Sequence, residues 1–203
     1  MIEKIQIGKI APNFVTIGVY KNRLGKVRLS DYHGKKYVIL VFYPANFTAI
    51  SPTELIEISE KISEFRKLST QVLAISVDSP FSHLHYILSK RSQGGLGQLN
   101  FPLISDLNQK ITKKYRLLTN DGFASPGVFI IDKEGIIQYY TVNNLLCGRN
   151  IDELLRILQS IQYIKENPGQ ACPANWKASN NILYSHPIKS KVYFKTLYSH
   201  KKN

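Results

Sequence analysis

The stretch KKYVILVFYP, residues 35–44, constrains the fold more than any other part of the chain. A near-continuous apolar run of this length reads as a strand covered on both faces, which is how strands of a parallel sheet read. The next segment, 51–68, carries apolar residues at 55, 58, 62, 65 and 68, spacings of three and four that mark one face of a helix. QVLAISVD, 71–78, is a second apolar run. A strand, a helix and a strand in that order predict a right-handed βαβ unit on a parallel sheet.

The rest of the chain extends this pattern. A helical stretch over 81–91 ends at the glycine-rich break QGGLGQ. FPLISD reads as a short strand and NQKITKKYRLL as a short helix. GVFIID and IIQYYTV are two strands joined by KEG, a hairpin. Asn150 is placed to cap IDELLRILQSIQYIK, whose apolar residues fall at 151, 154, 155, 158, 161 and 164. After Asn167 the character changes: NPGQACPANWKASNN is full of helix breakers, and the remainder is basic and aromatic. We therefore expect an α/β domain over 1–165 and a C-terminal arm over 166–203 that packs on something other than its own core.

Composition bounds the function. The chain has 203 residues, and one this long buries roughly 70% of its unfolded surface, so it needs no disulfides to fold. Two cysteines, Cys147 and Cys172, do not make a secreted scaffold and point to a reducing compartment. The start, MIEKIQIGKIAPNF, has neither a long apolar core nor the character of a transit peptide, and no run of 18 apolar residues occurs. The expectation is a protein that works where it is made, without a membrane span. The formal charge is +13, from 27 basic and 14 acidic residues. The bases are scattered and no aromatic-plus-basic recognition motif accompanies them, so we expect solvated lysines rather than a nucleic-acid surface. The tail after Tyr163 is the exception, with seven lysines against Glu166. Cys147, Cys172 and the histidines have no metal-ligand spacing, and nothing implies a cofactor.

The loop FYPANFTAISPTEL, 42–55, carries the chemistry. Ser51, Pro52 and Glu54 fit a capping box: serine at N-cap, proline at N1, glutamate at N3. The same position is a reactive one for another residue. A helix N-terminus lowers a cysteine's pKa from about 8.5 into the range of roughly 3.5 to 7.5. A serine there gains too little and needs an adjacent base, which the neighbouring sequence does not offer. AISPT is also not a Gly-x-Ser-x-Gly elbow. Cys147, just ahead of the last long helix, reads as a small buried apolar residue.

The loop resembles the active-site motif of typical 2-Cys peroxiredoxins. In that motif proline, three residues, threonine, two residues and the peroxidatic cysteine follow in order; Pro44 and Thr48 match, Glu54 continues it, and Ser51 stands at the cysteine position. DSPFSHLHYILSKRSQGGLG resembles the family's Gly-Gly-Leu-Gly segment. GVFIID through IQY resembles its last strands and helix, with Arg149 in place. GQACPANW resembles the resolving-cysteine motif, placing that role on Cys172, and VYF, with Tyr193 and Phe194, resembles the C-terminal motif of oxidation-sensitive members. The likeness is greatest to the plastid-encoded members of red algae.

The resemblance implies a thioredoxin-like fold of peroxiredoxin type, with a central mixed sheet flanked by helices and an extended C-terminal arm. It implies hydrogen peroxide or alkyl hydroperoxides as substrate, thioredoxin as reductant, and a homodimer that can assemble into a decameric ring. It also implies a plastid stroma, with the cytoplasm as the other home. Two departures stand out. Ser51 replaces the nucleophile, and Pro126 stands where the family places the arginine that polarises the peroxide. Ala45 and Asn46 also differ from the family's usual Leu and Asp. Together these suggest an inherited loss rather than a single trapping substitution. Two functions follow: the family's peroxidase activity, or a non-catalytic binding, hetero-oligomer or holdase module.

Overall fold

The computed structural model describes residues 5–178 and 182–199. The first four residues, 179–181 and 200–203 lie outside the described part, including Lys201 and Lys202 of the basic tail. Two compact units result, one through Ile151 and one from Asp152.

The first unit is built on a seven-stranded mixed sheet of order β2-β1-β5-β4-β3-β6-β7. Its strands are β1 (Val15–Tyr20), β2 (Arg23–Arg28), β3 (Tyr37–Phe42), β4 (Thr70–Ser76), β5 (Leu103–Ser105), β6 (Gly127–Ile131) and β7 (Ile137–Val142). The apolar runs become the centre: β3 and β4 pair in parallel from Tyr37↔Thr70 to Phe42↔Ile75, and every residue of β3 is buried. β6 pairs antiparallel with β3, Val41 opposite Val128. β7 turns back on β6 through the expected tight turn, where Asp132 Oδ1 accepts the backbone N–H of Glu134 and Ile136 and Gly135 takes a φ of +78°. One face packs Leu40, Phe42, Leu73, Tyr115 and Phe129 into the core. There Tyr115 meets the Phe129 ring edge-on at 4.9 Å.

The helical face at 51–68 divides into α1 (Ser51–Glu60) and α2 (Ile62–Lys67), with Lys61 between them. α3 (Pro80–Leu88) starts at Ser79, whose side chain accepts the Ser82 N–H. α4 is shorter than its sequence suggests, Lys110–Lys114, because Arg116 takes a left-handed φ of +58° that ends the helix. The β1–β2 hairpin has no counterpart in the sequence reading. Its turn residues, Lys21 and Asn22, both have positive φ, yet they lack the Asn-Gly signature of such turns. β2 is almost wholly exposed, so it presents no apolar run to read.

α5 (Ile151–Glu166) leads into the second unit. Ile151, Leu154, Leu155, Leu158 and Ile161 are buried as their spacing predicts, whereas Ile164 is 42% exposed. In the second unit a two-residue ladder pairs β8 (Gln170–Ala171) with β9 (Leu183–Tyr184). Trp176 is buried, its ring 5.0 Å from Tyr163, and Arg156 Nη1 donates to its carbonyl. The basic aromatic stretch forms a helix, α6 (Lys191–Tyr198), with no buried residue. No described helix is long and apolar enough to cross a membrane.

Candidate functional site

The site lies where β3 ends and α1 begins. Because β3 and β6 run antiparallel, the chain leaving β3 at Phe42 comes beside the chain entering β6 at Gly127. That register, rather than sequence proximity, brings Pro44 and Pro126 to the same cavity. The cavity measures about 220 Å³, and Pro44, Thr48, Ser51 and Glu54 all line it, with Pro126 and Cys147. Four of the expected site residues are thus together. Cys172, the fifth, belongs to the second unit.

Ser51 does not cap the helix. The N-cap position is Ile50, and it has αR backbone angles and no side-chain cap bond. Ser51 is already inside the first turn and is 2% exposed. Its Oγ lies 2.5 Å from Thr48 Oγ1, and Thr48 Oγ1 donates to the Ala45 carbonyl at 3.0 Å. A hydroxyl has one proton, so the arrangement that satisfies both contacts gives the Thr48 proton to Ala45 and the Ser51 proton to Thr48. The capping-box reading fails because the turn closes one residue earlier, on the Ile50 carbonyl. That carbonyl accepts the Thr53 N–H and the Thr53 hydroxyl.

Glu54 is likewise not a capping partner. It and Arg149 form an ion pair whose side chains are 4% and 5% exposed. Arg149 gives Glu54 Oε1 its backbone N–H at 2.7 Å and its Nε–H at 2.8 Å, and Nη2 donates to Oε2. Arg149 Nη1 donates to the Phe42 carbonyl at 2.9 Å and the Gly127 carbonyl at 3.1 Å. One guanidinium therefore ties α1 to the end of β3 and the start of β6. At Gly127 a Cβ would lie 2.5 Å from Leu117 Cδ1, so any larger residue there would have to displace that buried side chain. These partners are 95 residues apart, and no local pattern announces their pairing.

A buried polar network holds the loop from behind. Tyr43 Oη donates to Asn46 Oδ1 at 2.9 Å, and His83 Nδ1 lies 3.2 Å from the same oxygen. Asn46 gives its backbone N–H to Asp78 Oδ2 and its amide to Ser82 Oγ. Asn46 is thus the hub of the loop. Burial lowers the His83 pKa, partly opposed by the charge of Asp78, and raises that of Tyr43 well above the ordinary phenol.

Cys147 contradicts its sequence reading. It is exposed, on a turn where its N–H meets the Asn144 carbonyl, and it lines the cavity. Nothing in the local sequence signals this, since an apolar cysteine before a helix reads as packing. Cys172 is half-buried and its Sγ is 3.9 Å from the Ser160 carbonyl. Burial pushes its thiol up, offset in part by the hydrogen bond to Ser160 and the charge of Arg156. Among the described residues no cluster of three His, Cys, Asp or Glu side chains could hold a metal ion.

Residues 7–140 match the model of the AhpC/TSA family. The chain is 74% identical over 198 residues to the ycf42 protein of Trieres chinensis, whose name places it among the peroxiredoxins, covering 98% of this chain and 97% of that one. It is 51% identical over 193 residues to the chloroplastic 2-cysteine peroxiredoxin of Chattonella marina var. antiqua, covering 95% and 99%. The structure of reduced Plasmodium vivax 2-Cys peroxiredoxin superposes with a TM-score of 0.92 at 35% identity, covering 95% of this chain and all of that one. The thioredoxin-like fold with its mixed sheet is the one the motifs imply, and the chain belongs to the AhpC/TSA family, among the peroxiredoxins.

Proposed function

We infer that this chain keeps the peroxide pocket of a thioredoxin-dependent peroxidase but does not run its catalytic cycle. The family activity is thiol-specific reduction of hydrogen peroxide and organic hydroperoxides, with antioxidant and redox-homeostasis roles. In that scheme Ser51 occupies the peroxidatic position, Cys172 the resolving position, and Pro44, Thr48 and Glu54 hold the pocket. The observation that carries the reading is the Ser51 side chain, a hydroxyl whose proton is given to another hydroxyl, Thr48. A serine needs a base to become a nucleophile. The carboxylate that lines the cavity, Glu54, is bound through both oxygens to Arg149. Without a thiol at 51 the disulfide with Cys172 cannot form, and thioredoxin has nothing to reduce.

The protein then acts as a subunit or binding module. It associates as a homodimer, or joins rings with an active homologue, through the 1–165 domain and the 166–203 arm. A plastid setting is supported by the chloroplastic name of the Chattonella relative. The test is peroxide consumption by the purified chain with thioredoxin, thioredoxin reductase and NADPH. We expect no turnover above the rate without protein, and a mass by light scattering that is a multiple of 23.1 kDa. Sustained turnover would overturn the reading.

A further inference from the structure

A separate cavity lies at the other end of the sheet from Ser51. β3, β4 and β5 run parallel and β1 runs against β5, so the starts of three strands and the end of β1 come together. Lys36 precedes β3 and Tyr43 follows it, which puts roughly 20 Å between the two sites at about 3.3 Å per residue. Two tyrosines, Tyr20 and Tyr32, and two cations, Lys36 and Arg66, line a space of about 310 Å³, and no carboxylate is among its lining residues. Its apolar wall is Ile62, Val72 and Pro102. Among the described residues Lys36 Nζ makes no ion pair or hydrogen bond. Arg66 Nη2 donates to the Asn100 carbonyl at 2.9 Å, which steadies the guanidinium and leaves Nε and Nη1 open. Tyr32 Oη has no hydrogen-bond partner among these residues. Burial, then the charge of Asp31, raises its pKa, so it keeps its proton as a donor. Lys21 Nζ stands 5.6 Å from the centre of the Tyr20 ring and brings a third cation beside the lining. These cations come from 21, 36 and 66 along the chain, and only the fold gathers them. Open donors around a partly apolar wall suit an acceptor from outside the chain. Arg66 lies in the last turn of α2, whose carbonyl end carries partial negative charge. One negative charge therefore suits the space better than a phosphate dianion.

We propose that this cavity binds a small aromatic carboxylate. The carboxylate accepts from Lys36, Arg66 and the Tyr32 hydroxyl, with the planar fork of Arg66 matching its two oxygens. The ring lies against Ile62, Val72 and Pro102, and Tyr20 adds an aromatic contact. The volume is at the lower end for small-ligand pockets, about 300–1,000 Å³, which limits the body to about two fused rings. No bond is made or broken there. Binding does not depend on Ser51 or on peroxide turnover, because none of the cavity's lining residues lines the Ser51 cavity.

The experiment uses the whole chain, with 2-naphthoate as the probe in calorimetric titration at neutral pH and physiological salt. One naphthoate per chain should bind with a Kd below about 1 mM. 2-Naphthol has the same rings without the charge and should bind at least about tenfold more weakly. Inorganic phosphate at equal concentration should not displace the naphthoate. Lys36→Gln and Arg66→Gln, both at exposed positions and so tolerant of the change, should each raise Kd about tenfold through loss of a charge-assisted hydrogen bond. Lys195→Gln, at an exposed lysine of α6, should leave Kd unchanged. Hydrogen exchange of the unaltered chain locates the site independently of any variant: naphthoate should protect amides over 62–72 and not over 44–55. A Kd above about 1 mM, an equal loss in all three variants, no loss in Lys36→Gln and Arg66→Gln, naphthol binding as tightly as naphthoate, or displacement by phosphate would each overturn the proposal. Protection confined to 44–55 would place the acid beside Ser51 and overturn it as well.

Discussion

The ion pair between Glu54 and Arg149 should be the most sensitive point of the site scaffold. Both side chains are about 95% buried, so removing one partner leaves an uncompensated charge, a loss of roughly 3–5 kcal/mol in such settings. The two single changes should not cost the same. Glu54→Ala leaves a guanidinium that still donates to the Phe42 and Gly127 carbonyls, which puts it near about 3 kcal/mol. Arg149→Ala leaves a buried carboxylate and also strips those two carbonyls of their side-chain donor, which puts it near about 5 kcal/mol. The Glu54→Leu/Arg149→Met double variant removes both charges and should cost less than the sum, with a coupling of about 2–3 kcal/mol. At roughly 2–4 °C per kcal/mol for a chain of this size, the melting temperature should fall by about 6–12 °C for Glu54→Ala and about 10–20 °C for Arg149→Ala. Urea titration followed by far-ultraviolet circular dichroism, at one fixed protein concentration, measures the costs. Hydrogen exchange at β3 and β6 localises them. Single losses below about 1 kcal/mol, or strict additivity, would refute the view that this pair clamps α1 to the sheet.

Three further outcomes test other parts of the site. Ser51→Cys should create an acidified thiol in the first turn of α1, seen in the pH profile of iodoacetamide labelling. It should react with hydrogen peroxide some 10²–10³ times more slowly than Ser51→Cys/Pro126→Arg, which restores a cation; equal rates by stopped flow would remove the role given to position 126. His83 is buried and its pKa is depressed below 6.5, first by burial, so below about pH 6.5 the unfolded chain binds a proton that the native chain does not. Stability must then fall as pH drops from 7 to 5, by up to about 1.4 kcal/mol per unit, and His83→Gln should flatten that slope in urea midpoints. Cys172, with its thiol raised by burial, should alkylate at pH 8 more slowly than in the unfolded chain, and faster as pH rises; no difference between native and unfolded chain would contradict this.

Much of this protein can be read along the chain, because some of its constraints are local. The apolar runs at β3 and β4 declared a buried parallel pair, since a strand covered on both faces has no polar residues to place. The spacing of 151, 154, 155, 158 and 161 declared the buried face of α5, because 3.6 residues per turn is a property of the backbone alone. Order and spacing set Pro44, Thr48, Ser51 and Glu54 at the junction of β3 and α1, where they line one cavity. The β1–β2 hairpin escaped because its outer strand is solvated and its turn uses Lys-Asn.

Tertiary structure decided what those residues do. Whether Ser51 caps a helix depends on where the first turn closes, and it closes on Ile50. Glu54 could have served its own helix end, yet a guanidinium 95 residues away takes both its oxygens. Cys147 reads as packing in one dimension and becomes a cavity wall in three, because the antiparallel pairing of β6 with β7 ends β7 at Val142, opposite Gly127. Sequence determines which groups are present and their local geometry. Only the packed sheet brings distant ones to within hydrogen-bond distance, where a hydroxyl, an ion pair or a thiol acquires its partner and its chemistry.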